Sequence, residues 1–79
     1  MTEETFERVA RTYGDMLYRV AYHALKNRAD AEDVMQEVFV RLLRARPEFR
    51  DEEHAKAWLL RVAGNLSKNR LDYNARRST

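Results

Sequence analysis

The chain has 79 residues, a net charge of +2, a hydrophobic share of 44% and no cysteine. This length predicts one small domain with a limited core, and the lack of cysteine excludes a disulfide framework and a thiolate metal site. The N-terminus is charged from the start, and no stretch approaches the roughly 18 apolar residues of a membrane span. We therefore expect a soluble, cytoplasmic protein with no membrane partner.

The charge is distributed unevenly along the chain. Residues 1–53 hold nine basic and twelve acidic residues, whereas residues 54–79 hold six basic residues and one acidic residue. Such asymmetry suits a protein that presents one end to nucleic acid and another to a basic protein surface. From charge alone, a solvated helix end with a basic tail is an equally good interpretation.

The pattern of apolar residues predicts an all-α fold, a compact bundle of three to four helices. The sequence has one proline, two glycines and no sustained alternation of β-branched residues. We expect a first helix over about residues 2–12, a loosening at Gly14, and a second helix that follows almost continuously. Asp15 is its predicted cap and Asn27 its left-handed C-cap.

A third helix is predicted to begin at Asp30 and to end before Pro47. Asp30 is the expected N-cap, with Asp33 in the capping-box position three residues later. The apolar residues of this helix recur at helical spacing, and the remaining positions form a dense polar face. The buried set is Val34, Val38, Phe39 and Leu42.

The fourth predicted helix runs from Asp51 or Glu53 to Tyr73, and residues 74–79 are expected to fray or to start a linker. Its inward stripe is Ala55, Trp58, Leu59, Val62, Leu66 and Tyr73. Its opposite face is Arg61, Asn65, Lys68, Asn69 and Asp72. Because Trp58 lies on the apolar stripe, we interpret it as a core residue rather than as a platform for base stacking.

The sequence predicts neither an enzyme nor a cofactor site. It has no cysteine nucleophile, no Gly-rich phosphate loop and no serine next to a plausible base. Asp51 and His54 form one acid-x-x-His step, but a carboxylate-bridged metal pair needs a second such step. His23 has Val20 at the corresponding position, so we expect no metal.

Three segments, residues 17–22, 27–42 and 57–71, resemble region 2 of the sigma-70 family of bacterial RNA polymerase sigma factors. The resemblance is greatest to the extracytoplasmic-function (ECF) group and covers residues 6–77, which predicts a single sigma region 2 domain over residues 1–79. Complete factors of this group also have a region 4 domain for the minus-thirty-five element. We expect no region 4 domain in this chain.

The resemblance implies two partners. One is RNA polymerase core, whose beta-prime clamp helices would contact Asp33, Gln36, Glu37, Arg41 and Arg44. The other is the non-template strand of the promoter minus-ten element, which the loop at residues 49–55 and the fourth helix would recognise and melt. The implied DNA-binding residues are Arg50, Arg61, Asn65, Lys68, Asn69, Arg70, Arg76 and Arg77.

Other functions remain open at this point. Without the resemblance, the polar face of the third helix would be a solvated surface with pairs such as Glu37 to Arg41. The main rival function is a helical interaction module or decoy that binds polymerase or an anti-sigma factor without DNA activity. A third is a repressor of duplex DNA, although the chain lacks a convincing short-turn helix pair for the major groove.

Overall fold

A computed structural model describes residues 3–77, which form three helices and no strand. The helices are α1 (Glu3–Leu25), α2 (Arg28–Ala45) and α3 (Glu52–Arg77). Each helix packs on the other two, in a bundle of 44 × 19 × 19 Å. The predicted all-α fold is confirmed. The predicted helix start at residue 2 lies outside the described residues.

The first two predicted helices are one continuous helix, α1. Gly14 has no positive φ and lies inside α1, and a Cβ built on it would come no closer than 4.0 Å to Phe39. The prediction of two helices was wrong because a glycine weakens a helix by only about 1 kcal/mol, which packing readily offsets. As one helix, α1 packs against both α2 and α3.

The turn between α1 and α2 uses different caps from those predicted. Lys26, with φ of 54°, takes the left-handed position after α1, and Asn27 is extended and caps the start of α2. The Asn27 Oδ1 accepts a hydrogen bond from the backbone N–H of Asp30 at 2.9 Å. Asp30 is therefore inside the first turn, so neither its predicted N-cap role nor the capping-box role of Asp33 holds.

The loop between α2 and α3 begins and ends where the sequence predicts. Arg46 takes a left-handed conformation after α2, its N–H bonds to the Leu42 carbonyl at 3.0 Å, and Pro47 follows. Asp51 Oδ1 accepts from the His54 N–H at 2.8 Å and so caps α3. Both boundaries match the prediction.

The core lies along the centre of the bundle and combines large and small side chains. Leu17, Val38, Leu42 and Leu59 are fully buried. Three alanines, one from each helix, are also fully buried, which lets the helix backbones approach closely: Ala21, Ala31 and Ala63. Phe6 packs edge-on against Phe39 at one end, with ring centroids 6.0 Å apart.

The inward stripe of α3 is largely as predicted. Ala55 and Leu59 are buried, and Trp58, Val62 and Leu66 are partly buried against the core. Tyr73 is the exception, at 51% exposure. The helix also continues to Arg77 instead of ending at Tyr73. None of the helices in residues 3–77 is long and apolar enough to cross a membrane.

The continuity of α1 gives a stability prediction. Gly14→Ala should raise the free energy of unfolding by about 0.5–1 kcal/mol, because the new methyl group fits beside Phe39 and the unfolded chain loses freedom. Gly64→Ala, in the exposed middle of α3 with nothing within 4 Å, is the matched control and should gain a similar amount. Urea unfolding followed by circular dichroism measures both. A loss of stability for Gly14→Ala alone would mean that α1 is interrupted there.

Candidate functional site

The outer face of α2 consists of Asp33, Gln36, Glu37, Arg41 and Arg44. Four of these side chains are exposed, and Glu37 is partly exposed. They point outward because Val34, Val38 and Leu42 direct the opposite side of α2 into the core. Glu37 and Arg41 form an ion pair at 3.5 Å with both side chains about half exposed, 45% and 51%. Such a pair contributes little to stability and is easily exchanged for a partner's charge.

Leu43 adds an apolar side chain to this side of α2 that the sequence interpretation left out. It is 50% exposed and follows Gln36 by seven residues, so the two lie on one side of the helix. An exposed leucine beside charged residues is typical of the apolar centre of a protein interface. Its position off the buried stripe was visible in the helical spacing.

The basic face of α3 consists of Arg61, Asn65, Lys68 and Asn69, and all four are exposed. Spacing at i, i+4, i+7 and i+8 places them along one side of α3, opposite the buried Leu59 and Ala63. Arg76 and Arg77 are exposed in the last turn, and Arg50 is exposed in the loop before α3. Seven of the eight predicted DNA-binding residues are therefore on the surface.

Arg70, the eighth, is part of a contact between α2 and α3. Its Nη1 lies 2.9 Å from Asp30 Oδ1, and its Nη2 lies 3.7 Å from Asp33 Oδ2. Asn74 Nδ2 donates to the other Asp30 oxygen at 3.0 Å. We call Asp30, Arg70 and Asn74 the interhelical lock. It fastens α3 to the first turn of α2 beyond the end of the apolar core.

The lock was absent from the sequence interpretation, although helical spacing contained a signal for it. Arg70 follows Ala63 by seven residues and Leu59 by eleven, which puts it on the buried side of α3. Side-chain exposures of 33% for Arg70 and 18% for Asp30 agree with that position. The lock explains why α3 continues past Tyr73, since Asn74 is held from α2.

An aromatic cluster fixes the loop before α3. Phe49 packs edge-on against Trp58 and His54, with ring centroids 5.9 Å and 5.5 Å away. His54 Nδ1 accepts from the backbone N–H of Arg50 at 3.2 Å. The loop is therefore held by the packing of the Phe49 ring and by a hydrogen bond from its backbone. Trp58 packs against the core, as predicted.

A cleft of about 360 Å³ opens between this loop and α1, with Phe49, Val9 and Tyr13 among its walls. The Tyr13 hydroxyl donates to Glu52 Oε1 at 3.0 Å across it. Partial burial, followed by the hydrogen bond and negative charge of Glu52, raises the pKa of Tyr13 above its ordinary value of 10.0. The tyrosine is thus protonated and able to donate at neutral pH.

The described residues contain no group of three or more His, Cys, Asp or Glu side chains placed to hold a metal ion. His54 is engaged by the loop backbone instead.

Comparison with known proteins identifies the family. The model for "Sigma-70 region 2" matches residues 9–77, which include all of α2 and α3 and most of α1. The chain belongs to the sigma-70 region 2 family. The match contains both helix faces and the interhelical lock. No solved structure gives a significant match.

Three curated relatives of this region 2 domain are named ECF RNA polymerase sigma factors. ECF RNA polymerase sigma factor SigX of Bacillus subtilis is 34% identical over 65 residues, which are 82% of this chain and 34% of the relative. SigW of the same species is 32% identical over 69 residues, 87% of this chain and 37% of the relative. SigE of Mycolicibacterium smegmatis is 34% identical over 62 residues, which are 78% of this chain and 24% of the relative. The chain thus spans about a third of the length of the first two.

The interhelical lock gives the second prediction. Asp30→Asn should lower the free energy of unfolding by about 1–3 kcal/mol, because it removes the charge that Arg70 and Asn74 share in a partly buried site. Hydrogen exchange should also accelerate over residues 70–77. Chemical unfolding and amide exchange measure the two effects.

Glu32→Gln is the matched control for that substitution. It makes the same charge change on the same helix but removes only the exposed contact with Arg28 at 3.4 Å. Its effect should stay within about 0.5 kcal/mol. Equal effects of the two substitutions would contradict a role for Asp30 in holding α3.

Proposed function

We propose that this region 2 domain acts in transcription initiation by binding two partners at once. The outer face of α2 binds RNA polymerase core at the beta-prime clamp helices. The basic face of α3, with the loop before it, recognises and melts the promoter minus-ten element through the non-template strand. The observation that carries the proposal is that the two charged faces lie on different helices of one bundle, so each partner has a helix of its own to contact.

The polymerase part is supported by the family match and by the charge pattern of α2. The relatives are named RNA polymerase sigma factors, and the match includes every residue of the outer face. A rigid helix that presents Asp33, Gln36 and Glu37 can pair with basic side chains of a helical partner. Charge complementarity of this kind sets the register of a complex and its rate of formation. Leu43 adds an apolar contact that charges alone would not supply.

The DNA part is supported by the chemistry that melting requires. A protein that opens DNA without ATP must bind unpaired bases better than paired ones, through pockets and a cationic track along the backbone. Arg61 and Lys68 supply charge, and Asn65 and Asn69 supply hydrogen bonds to base edges. The cleft beside Phe49 offers an apolar wall for an unstacked base. Trp58 is the weaker stacking candidate, because it packs against the core.

A second candidate function is a module that binds polymerase or an anti-sigma factor without DNA activity. The observation in its favour is the acidic start of α3. Asp51, Glu52 and Glu53 are exposed next to the loop that would meet the bases, and their charge repels phosphate. The two functions differ in one property, the effect of single-stranded DNA on the complex.

One experiment tests the proposal with two paired substitutions. Binding of labelled domain to core polymerase, and of a fluorescent minus-ten non-template oligonucleotide to that complex, is measured for the wild type and both variants. Asp33→Arg/Glu37→Arg should abolish polymerase binding, since it reverses the charge of the outer face. Arg61→Ala/Lys68→Ala should keep polymerase binding, weaken oligonucleotide binding and reduce the salt slope of the residual oligonucleotide binding by about 1.4, about 0.7 for each lost contact.

The outcomes separate the candidates. A folded wild type that does not bind polymerase contradicts the proposal. Polymerase binding that is unaffected by the outer-face pair contradicts the assignment of that face. Polymerase binding without any response to the oligonucleotide favours the interaction module. Each variant alters only exposed or partly exposed side chains, so a helical circular dichroism spectrum serves as the folding control.

A further inference from the structure

A second cleft, of about 200 Å³, lies between α2 and α3 where the two candidate faces meet. From α2 it is lined by Asp33, Val34 and Glu37. From α3 it is lined by Leu66, Asn69 and Tyr73, among others. Two residues of the outer face of α2 thus share a surface with residues of α3 that the sequence interpretation assigned to DNA binding or to the inward apolar stripe.

The chemistry of this cleft suits a positively charged side chain. Val34 is almost entirely buried and Leu66 is partly buried, so together they form an apolar floor for the methylene groups of an arginine or lysine. Asp33 and Glu37 place two carboxylates at the wall. Tyr73 leaves half of its surface exposed beside them, and an aromatic ring attracts a cation.

Arg70 also lines the cleft, but its charge does not oppose a cation there. It is paired with Asp30 at 2.9 Å and with Asp33 at 3.7 Å. The charged lining residues are Asp33, Glu37 and Arg70, and their ion-pair partners outside the lining are Asp30 and Arg41. Together these five side chains carry a net charge of −1. The interhelical lock has a second effect: it fixes the distance between α2 and α3 next to the cleft, so the cleft is formed before any partner arrives.

We propose that this cleft receives one arginine or lysine side chain of the protein partner that binds α2, so that Tyr73 of α3 belongs to the protein-binding surface, while Asn69 lies at the border between that surface and the DNA-binding face. This inference rests on the proposed function, because it takes that partner to be polymerase core. Tyr73 is then a specificity residue for the partner and not a DNA contact.

The test compares three single substitutions for binding to core polymerase without DNA. Tyr73→Ala should weaken the affinity about fivefold to tenfold, because it removes the ring beside the bound cation. Tyr73→Phe should bind like the wild type. Leu71→Ala is the matched control: Leu71 is a large apolar residue on the same turn, 42% exposed, and absent from the cleft lining, so its loss should have no effect.

A double-mutant cycle tests whether the cleft holds a single cation. Asp33→Asn and Tyr73→Ala should lose less affinity together than the product of their separate losses, because both contact the same side chain. If the double variant loses affinity by the full product of the two separate losses, the inference is overturned. It is also overturned if Tyr73→Ala and Leu71→Ala bind core polymerase with equal affinity.

Failure of the cleft inference can be told apart from failure of the proposed function. If Asp33→Arg/Glu37→Arg abolishes polymerase binding while Tyr73→Ala does not change it, the outer face of α2 is the binding surface and the cleft is not part of it. If the wild type does not bind polymerase, both proposals fail. Tyr73 is exposed, so each variant should keep the helical spectrum of the wild type.

Discussion

The burial of one stripe of α2 determines where every other surface of this domain lies. Val34, Val38 and Leu42 are spaced four residues apart and contact the core almost without exposure. Since α2 packs on both other helices, it cannot rotate without exposing that stripe. The charged residues between these positions are consequently forced outward. The outer face of α2 is therefore a direct result of core packing, and its charged side chains lie at the surface, where a partner can reach them.

The interhelical lock keeps α2 and α3 in fixed positions beyond the end of the apolar core. The core side chains of α3 end near Leu66, yet the helix continues for about three more turns. Asp30 holds that extension through Arg70 and Asn74. The lock adds tertiary support to the last turns of α3, whose own helix propensity is weak for so short a segment. A single carboxylate thus sets the position of the basic end of α3 relative to the outer face of α2.

The sequence predicted the fold class, the family and the exposed faces, and it failed where a residue could satisfy two patterns. Apolar spacing located the buried stripes of α2 and α3 because burial is periodic along a helix. Asp30 was predicted as an N-cap and Asn27 as a C-cap, but in the structure Asn27 Oδ1 caps α2 by accepting from the Asp30 N–H, and the Asp30 side chain pairs with Arg70. Gly14 looked like a break because propensity ignores the packing of α1 against two neighbours. Arg70 was grouped with the basic tail by charge, although its spacing from Ala63 indicated the inner side.

We propose one partner for each side of the bundle: protein at α2 and the adjoining cleft, and single-stranded DNA at α3 and its preceding loop. The most direct measurement is photo-crosslinking from two exposed positions, Gln36 on α2 and Asn65 on α3, in a complex of the domain with core polymerase and a minus-ten non-template oligonucleotide. We expect a photoreactive group at position 36 to label the largest polymerase subunit and one at position 65 to label the oligonucleotide. Labelling of DNA from position 36, or of protein alone from position 65, would contradict this assignment of partners.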